Sequence, residues 1–91
     1  MPDITTLIGR ENCGFTIQIA LPVGKFAYVL AYSEENRCTP WVTWLWSPYG
    51  NGFGMGHYHI DEYEALADVY ERAYNEAQSL LGRHREHKKE A

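Results

Sequence analysis

The stretch that decides the fold is residues 40–60, PWVTWLWSPYGNGFGMGHYHI. It holds all three tryptophans of the 91-residue chain, four of its eight glycines and two of its four histidines. Residues 41–47 are typical of a β-strand, and residues 53–60 predict a second strand that Gly54 and Gly56 weaken. Asn51-Gly52 lies between the two and is the pair that a tight type I′ turn prefers. The stretch therefore predicts a β-hairpin with an unusual density of aromatic side chains.

Two further strands precede this hairpin. Residues 14–21, GFTIQIAL, alternate apolar and polar side chains, as in a strand that is buried on one face. The alternation places Phe15, Ile17, Ile19 and Leu21 together. The segment PVGK then predicts a tight turn. Residues 25–33, KFAYVLAYS, are apolar on both faces and predict a central strand, which a polar loop connects to residue 41.

The period of the apolar residues changes after Ile60 and becomes helical. Asp61 and Glu64 have the spacing of a capping box, Ile60 is placed to pack on Ala65, and Gly82 is a plausible stop. The sequence therefore predicts a helix over residues 61–82. The predicted buried stripe of the helix has spacings of four and three residues: Leu66, Tyr70, Ala73, Ala77 and Leu80.

The predicted fold class is α+β, a four-stranded antiparallel β-meander followed by one long C-terminal α-helix on one face (β-β-β-β-α). A chain of this length forms a single domain, residues 1–91. Its predicted parts are an N-terminal segment (1–13), the sheet (14–60), the helix (61–82) and a basic tail (83–91). Within the first part, DITTLIG is compatible with one helical turn.

Charge and composition exclude several classes of partner. The net charge is −4, and no Lys or Arg lies between Trp41 and Tyr49, so the aromatic stretch does not resemble a surface for long nucleic acids. The start of the chain lacks the features of a signal peptide, and no apolar run is long enough to cross a membrane. We therefore expect a cytoplasmic protein without a membrane partner, in which Cys13 and Cys38 are reduced.

The aromatic residues exceed what one helix can cover. One face of this strand carries Val42, Trp44 and Trp46, and the other carries Trp41 and Leu45. Whichever face the helix covers, the opposite face of the sheet therefore remains apolar. The N-terminal segment or a curled sheet could cover the second face, a second copy of the chain could bury it, or it could form a groove for a partner or ligand. We predict a homo-oligomer in which Trp44 and Trp46 form the interface pair. The predicted binding or interface residues are Trp41, Trp44, Trp46, Tyr49, Phe53, Met55, His57, His59, Arg10 and Arg37.

Histidines and cysteines offer an alternative based on chemistry. His57 and His59 are two residues apart on a strand and project from the same face. They could act as acid and base on a phosphodiester, with or without a metal. Strand polarity brings Cys13, Cys38 and His59 to one sheet edge, where they could bind zinc. No C-x-x-C knuckle or nucleophile motif accompanies these residues, so a binding module without a cofactor is favoured over an enzyme.

The run GHYHIDEYEALADVYERA, residues 56–73, resembles the strand-to-helix segment of small proteins carried by bacteriophages and mobile elements. Many such proteins act by binding, so the resemblance implies a counter-defence role in the cytoplasm of a bacterial host. The partner would be a host protein or a small nucleotide messenger, for which Arg10 and Arg37 are candidate contacts. The segment contains no family-defining motif, and it assigns no residue a role.

Overall fold

The structure is a computed structural model that describes residues 4–50 and 52–90. It confirms the α+β architecture, an antiparallel meander followed by one helix that packs on it. Each strand pairs with the next along the chain, in the order β1-β2-β3-β4-β5. A 3₁₀ turn at Ile4–Leu7 precedes the sheet. The elements are β1 (Glu11–Asn12), β2 (Phe15–Val23), β3 (Phe26–Tyr32), β4 (Trp41–Ser47), β5 (Gly52–His59) and α1 (Glu62–Glu90).

The sheet has one strand more than the sequence predicts. The extra strand, β1, is only two residues long, and it joins β2 through Cys13 and Gly14. Both turn residues have positive φ, 52° for Cys13 and 83° for Gly14, as a two-residue type I′ turn requires. A strand this short has no readable alternation, which is why the sequence does not predict it. Asn51, half of the other predicted type I′ turn, lies outside the described residues.

A β-bulge divides β2 into two halves. The register with β3 shifts between Ile17 and Ile19, so Gln18 is the extra residue. Because a bulge exchanges the two faces, Phe15 and Ile17 lie on one side of the sheet, whereas Ile19 and Leu21 lie on the other. The predicted single apolar face of this strand is therefore wrong, and β2 contributes apolar side chains to both sides.

Two hydrophobic clusters follow from this arrangement, one on each face of the sheet. The cluster away from α1, here called the N-terminal core, contains Leu7, Phe15, Ile17, Ala27, Val29, Ala31, Val42 and Trp44. The cluster under α1, the helix-side core, contains Leu30, Ala65 and Val69, with Ile19, Leu21, Tyr28, Trp41 and Leu66 packed against it. The helix therefore lies on the face of Trp41, and the tryptophan pair lies on the opposite face.

The N-terminal segment folds back over the second face of the sheet. Leu7 is 1% exposed and belongs to the N-terminal core, and Ile4 packs against the same cluster. Gly9 donates a backbone hydrogen bond to Ile17 (2.8 Å), and Ile17 donates one to Arg10 (2.9 Å). Of the arrangements considered for this face, coverage by the chain's own N-terminal segment is the one observed.

The helix is longer than predicted and begins differently. It spans 29 residues, about 43 Å at 1.5 Å per residue, and it continues through Gly82 to Glu90. Ala65 donates its backbone N–H to the Asp61 carbonyl (3.1 Å), so Asp61 precedes the first turn as predicted. Ile60 is 74% exposed and does not pack on Ala65, and within the described residues the Asp61 carboxylate makes no hydrogen bond. The predicted capping box and staple are therefore not formed.

Candidate functional site

His57 and His59 meet one carboxylate of the helix. They share a face of β5, as the alternation predicts, and that face is turned toward α1. His57 Nδ1 lies 3.1 Å from Asp68 Oδ2, and His59 Nε2 lies 3.2 Å from the same oxygen. The Thr43 hydroxyl of β4 donates a third hydrogen bond to this oxygen, at 2.6 Å. Asp68 thus joins the helix to both strands of the aromatic hairpin.

Arg72 extends this contact one helical turn further. Its Nη1 donates to the Thr43 hydroxyl (2.9 Å) and to the Thr43 carbonyl (3.1 Å), and its Nη2 donates to the Met55 carbonyl (2.7 Å). The guanidinium carbon also lies 5.1 Å from the centre of the Tyr28 ring, a cation–π distance. We call the set His57, His59, Asp68, Thr43 and Arg72 the polar cluster.

The polar cluster holds Asp68 in its ionised form. Burial alone would raise the pKa of this carboxyl, but the hydrogen bonds from Thr43, His59 and His57 together outweigh burial and lower it. A positive charge on His57 acts in the same direction when that ring is protonated. Asp68 is therefore a stable hydrogen-bond acceptor at neutral pH, and it is unsuited to act as an acid.

Each histidine can present its second ring nitrogen. When Nδ1 of His57 and Nε2 of His59 donate to Asp68, the opposite nitrogen of each ring is left as an acceptor. The His57 side chain is 52% exposed and that of His59 is 20% exposed, so His57 is the more accessible. A carboxylate that orients an accessible imidazole is the arrangement of a general base. The Thr43 hydroxyl is fully buried and already donates to Asp68, so it is not available as a nucleophile.

The cysteines lie where strand polarity places them, but without His59. Cys13 and Cys38 are exposed free thiols, and both line an open cavity of about 570 Å³ together with Arg37. His59 instead belongs to the polar cluster. Among the side chains that the structure describes, no group of three His, Cys, Asp or Glu is placed to hold a metal ion.

The predicted aromatic residues divide between core and surface. Trp44 is 4% exposed, and its ring contacts Phe15 (5.7 Å between centroids) and Phe53 (5.5 Å). Trp46 is partly buried against the same core, and Trp41 packs against Tyr32 on the helix side, with 4.5 Å between tilted rings. Within one chain Trp44 is therefore a core residue, whereas Trp46 keeps accessible surface. The prediction that the two form an interface pair stays untested.

The remaining predicted residues are dispersed rather than gathered in one site. Tyr49 and Met55 are exposed, and Arg10 lies over the ring of Phe53 at 5.6 Å. Arg37 lines the cavity of the two cysteines. The structure therefore does not bring Arg10 and Arg37 together in one pocket, as the binding of one nucleotide by both residues would require.

Gly56 has a packing role on the side away from the helix. A Cβ atom at this position would lie 3.0 Å from Trp44 Nε1, whereas one at Gly54 would meet nothing within 4 Å. The register of β4 with β5 shifts here, and Met55 has a positive φ of 53°. The two glycines therefore have different surroundings, and Gly56 makes room for the Trp44 indole.

An exposed row of aromatic and small residues runs along α1 beside its buried face. Its members follow spacings of four and three residues: Tyr63, Ala67, Tyr70, Tyr74, Ala77 and Leu81, here called the outer row. All six are exposed, and the exposure of the four large ones ranges from 37% for Leu81 to 73% for Tyr63. The sequence interpretation assigns Tyr70 and Ala77 to the buried stripe, which is wrong. The sequence does contain the spacing of the outer row, but two neighbouring rows of the helix have this period, and the spacing alone does not tell which of them is buried.

A shallow groove borders the outer row. It has a volume of about 500 Å³ and lies between α1 and the turn that joins β2 to β3. Tyr70, Tyr74 and Ala77 belong both to the row and to the wall of this groove. The opposite wall consists of Leu21, Pro22, Val23 and Gly24. The row and the groove therefore form one continuous apolar surface.

Comparisons of the chain with known protein families, curated proteins and solved structures find no match. Among the described helices, none has the length and apolar character needed to span a membrane.

Proposed function

We propose that this protein acts by binding another macromolecule through the surface formed by the outer row and the adjoining groove. The observation that carries the proposal is the exposure of four large side chains, Tyr63, Tyr70, Tyr74 and Leu81, along one side of a single helix. Continuous apolar surface of this kind is unusual on a soluble monomer and usually marks an interaction site. Tyrosine suits such a surface because it combines a large apolar area with a hydrogen-bonding group.

The polar cluster supports binding over catalysis through its own contacts. Asp68 and Arg72 use their polar atoms to hold α1 against β4 and β5, and Thr43 is inaccessible. This network fixes the direction of the helix and therefore the position of the outer row. A rigid support reduces the entropy that is lost on binding, which favours a specific interface.

The experiment compares untagged protein with the double variant Tyr70→Ser/Tyr74→Ser. Native mass spectrometry of material purified from cells reports every associated species, including further copies of the chain. We expect the double variant to lose association while it keeps its circular dichroism spectrum. Ile8→Ser is the control, because Ile8 is exposed to a similar degree but lies outside the outer row. Equal loss in both variants, or wild-type protein without any associated species, would contradict the proposal.

The finer role that we propose is a phage-type counter-defence protein, which blocks a host protein or sequesters a small nucleotide messenger. Its support is the resemblance of residues 56–73 and the acidic balance of the chain, with a net charge of −4 that suits a basic target surface. Calorimetric titration with cyclic nucleotides tests the messenger alternative directly. Nucleotide binding that is weakened by Arg10→Ala or Arg37→Ala would support this alternative. If no nucleotide gives a heat of binding, the messenger alternative is wrong and a host protein is the remaining target.

A second candidate function is phosphodiester hydrolysis with His57 as the general base. The observation in its favour is the contact between His57 and Asp68, which leaves the other ring nitrogen of an exposed imidazole free to accept a proton. A chromogenic phosphodiester substrate measures this activity. His57→Ala should abolish turnover, and Asp68→Asn should lower it without unfolding the protein. Turnover that persists in His57→Ala would assign the activity to another source.

A further inference from the structure

We infer that the outer row binds the outer row of a second copy of this chain, with the two α1 helices antiparallel. The inference rests on the proposed function and names the partner of the same surface. It moves the predicted self-association from the sheet face of Trp44 and Trp46 to the helix. The period of the row, the charges that flank it and the continuity of the apolar surface all support this pairing.

The period of the outer row is that of a coiled-coil seam. Six positions follow spacings of four, three, four, three and four residues from Tyr63 to Leu81, which is the alternation of a and d positions in a heptad. Two small residues, Ala67 and Ala77, interrupt the large side chains of the row. Each of them leaves space in which a side chain of a second row can pack.

The charges beside the row select the second copy and the antiparallel direction. Glu64 and Glu71 flank its N-terminal half, and Arg85 continues the same flank at the C-terminal end. All three are exposed, and none makes an ion pair with another described residue. Parallel helices would turn this flank toward the opposite flank of the second helix, which holds Leu66, Ala73 and Leu80, and would leave Glu64 and Arg85 without a partner of opposite charge. Antiparallel helices place Glu64 beside Arg85 of the second copy, and the same pair forms again at the other end.

The shape of the chain leaves this surface open. Leu80 is the last helix residue that lines the groove beside the β2–β3 turn, while the helix continues to Glu90. The final turns of α1 therefore extend past the groove, where they can lie along the N-terminal half of a second helix. Tyr70, Tyr74 and Ala77 would then contact the second copy while the groove wall widens the buried area.

The first test is the mass of the purified protein in solution, measured by sedimentation over a range up to millimolar concentration. We expect a monomer–dimer equilibrium that Tyr70→Ser/Tyr74→Ser weakens by about tenfold or more, because aromatic residues dominate the energetics of such interfaces. Ile8→Ser should leave the equilibrium unchanged, because Ile8 is exposed but lies outside the outer row. A wild-type protein that stays monomeric throughout would overturn the inference.

The second test distinguishes the direction of the helices by charge reversal. Glu64→Arg and Arg85→Glu should each weaken the antiparallel dimer by about two- to fivefold, and the double variant should recover most of the loss. In a parallel dimer the two positions do not meet, so the double variant would show no recovery. Strengthening by either single reversal, or loss of recovery in the double variant, would overturn the antiparallel arrangement.

The two proposals fail in different ways. If the purified protein is monomeric but a different macromolecule co-purifies through Tyr70 and Tyr74, the binding function stands and the self-pairing is wrong. If a dimer forms that Trp46→Ala breaks and the tyrosine variant does not, the sheet face is the interface and the inference is overturned. If neither a dimer nor another associated species is found, both proposals fail.

Discussion

Asp68 receives hydrogen bonds from three side chains that belong to two strands, Thr43 of β4 and His57 and His59 of β5. The alternation of β5 is sufficient to predict that the two histidines share a face. Their partner could not be predicted in the same way, because it lies nine and eleven residues away along a helix whose rotation is set by packing. The same reason applies to Arg72, which the sequence presents as one basic residue in an acidic helix.

Asp68→Asn should lower the free energy of unfolding by about 1–3 kcal/mol near neutral pH, since a charged acceptor is replaced by an amide that cannot accept all three bonds. The pKa of Asp68 is lowered from its ordinary value of 3.8. Its contribution is therefore present above that value and is lost as the pH falls through the lower pKa of the folded state. Urea titrations from about pH 5 downward should show the difference between wild type and variant shrinking.

The control for this prediction is Asp61→Asn, because the Asp61 carboxylate is exposed and makes no hydrogen bond in the part of the chain that the structure describes. It should change the unfolding free energy little at any pH. A difference for Asp68→Asn that stays constant on acidification would show that the carboxylate charge does not contribute.

Gly56→Ala should destabilise the protein by about 1–3 kcal/mol, because the added methyl group would lie 3.0 Å from the indole of the buried Trp44. Gly54→Ala is the matched control in the same strand, where the methyl group meets open space. It should be neutral or stabilising by a few tenths of a kcal/mol, since alanine reduces the entropy of the unfolded chain. Chemical denaturation gives both values, and equal effects would contradict the packing role of Gly56.

At the scale of elements, strands and helix are readable because each has a period of its own. The alternation from Phe15 to Leu21 predicts β2, and the helical spacing after Ile60 predicts α1. The alternation does not predict which face of the sheet each side chain of β2 occupies, because of the bulge at Gln18. The extra residue leaves the alternating pattern unchanged, but it reverses the side on which the later residues lie. The register of β5 at Met55 shifts in the same way, so Gly54 and Gly56 do not share a face.

The N-terminal segment is an element whose role depends on one side chain. Leu7→Ala should cost about 2–5 kcal/mol, since Leu7 is buried in the N-terminal core. The adjacent Ile8 is exposed, and Ile8→Ala should change stability by no more than about 0.5 kcal/mol. Thermal unfolding of the two variants measures the contrast. Similar melting temperatures would mean that the segment does not cover the sheet in solution.

At the scale of the whole molecule, the sheet is buried on both faces, by α1 on one side and by the N-terminal segment on the other. The sequence correctly indicates that one helix cannot cover all of the aromatic surface. It could not indicate which candidate covers the rest, because Ile4 and Leu7 alone form no recognisable pattern. The fold class was therefore predictable, whereas the assignment of Trp44 to the core required its neighbours in three dimensions.

Trp44→Ala should cost about 3–5 kcal/mol, because it removes the largest side chain of the N-terminal core. Trp46→Ala should cost about 1–2 kcal/mol, since Trp46 is only partly buried. Circular dichroism during denaturation reports the two stabilities, and light scattering reports the mass of each variant. A change in mass confined to Trp46→Ala would favour an interface on the sheet face, and equal stability costs would contradict the division of the aromatics into core and surface.

The order of the strands also determines when each face of the sheet is covered during synthesis. Every strand pairs with its predecessor, so hairpins can form as the chain leaves the ribosome, and the N-terminal segment is made before the face that it covers. The helix follows the sheet along the chain. At about 5–20 residues per second its 29 residues take roughly 1.5–6 s to translate. For that interval the side chains of Ile19, Leu21 and Leu30 lack the cover that α1 gives them in the folded protein.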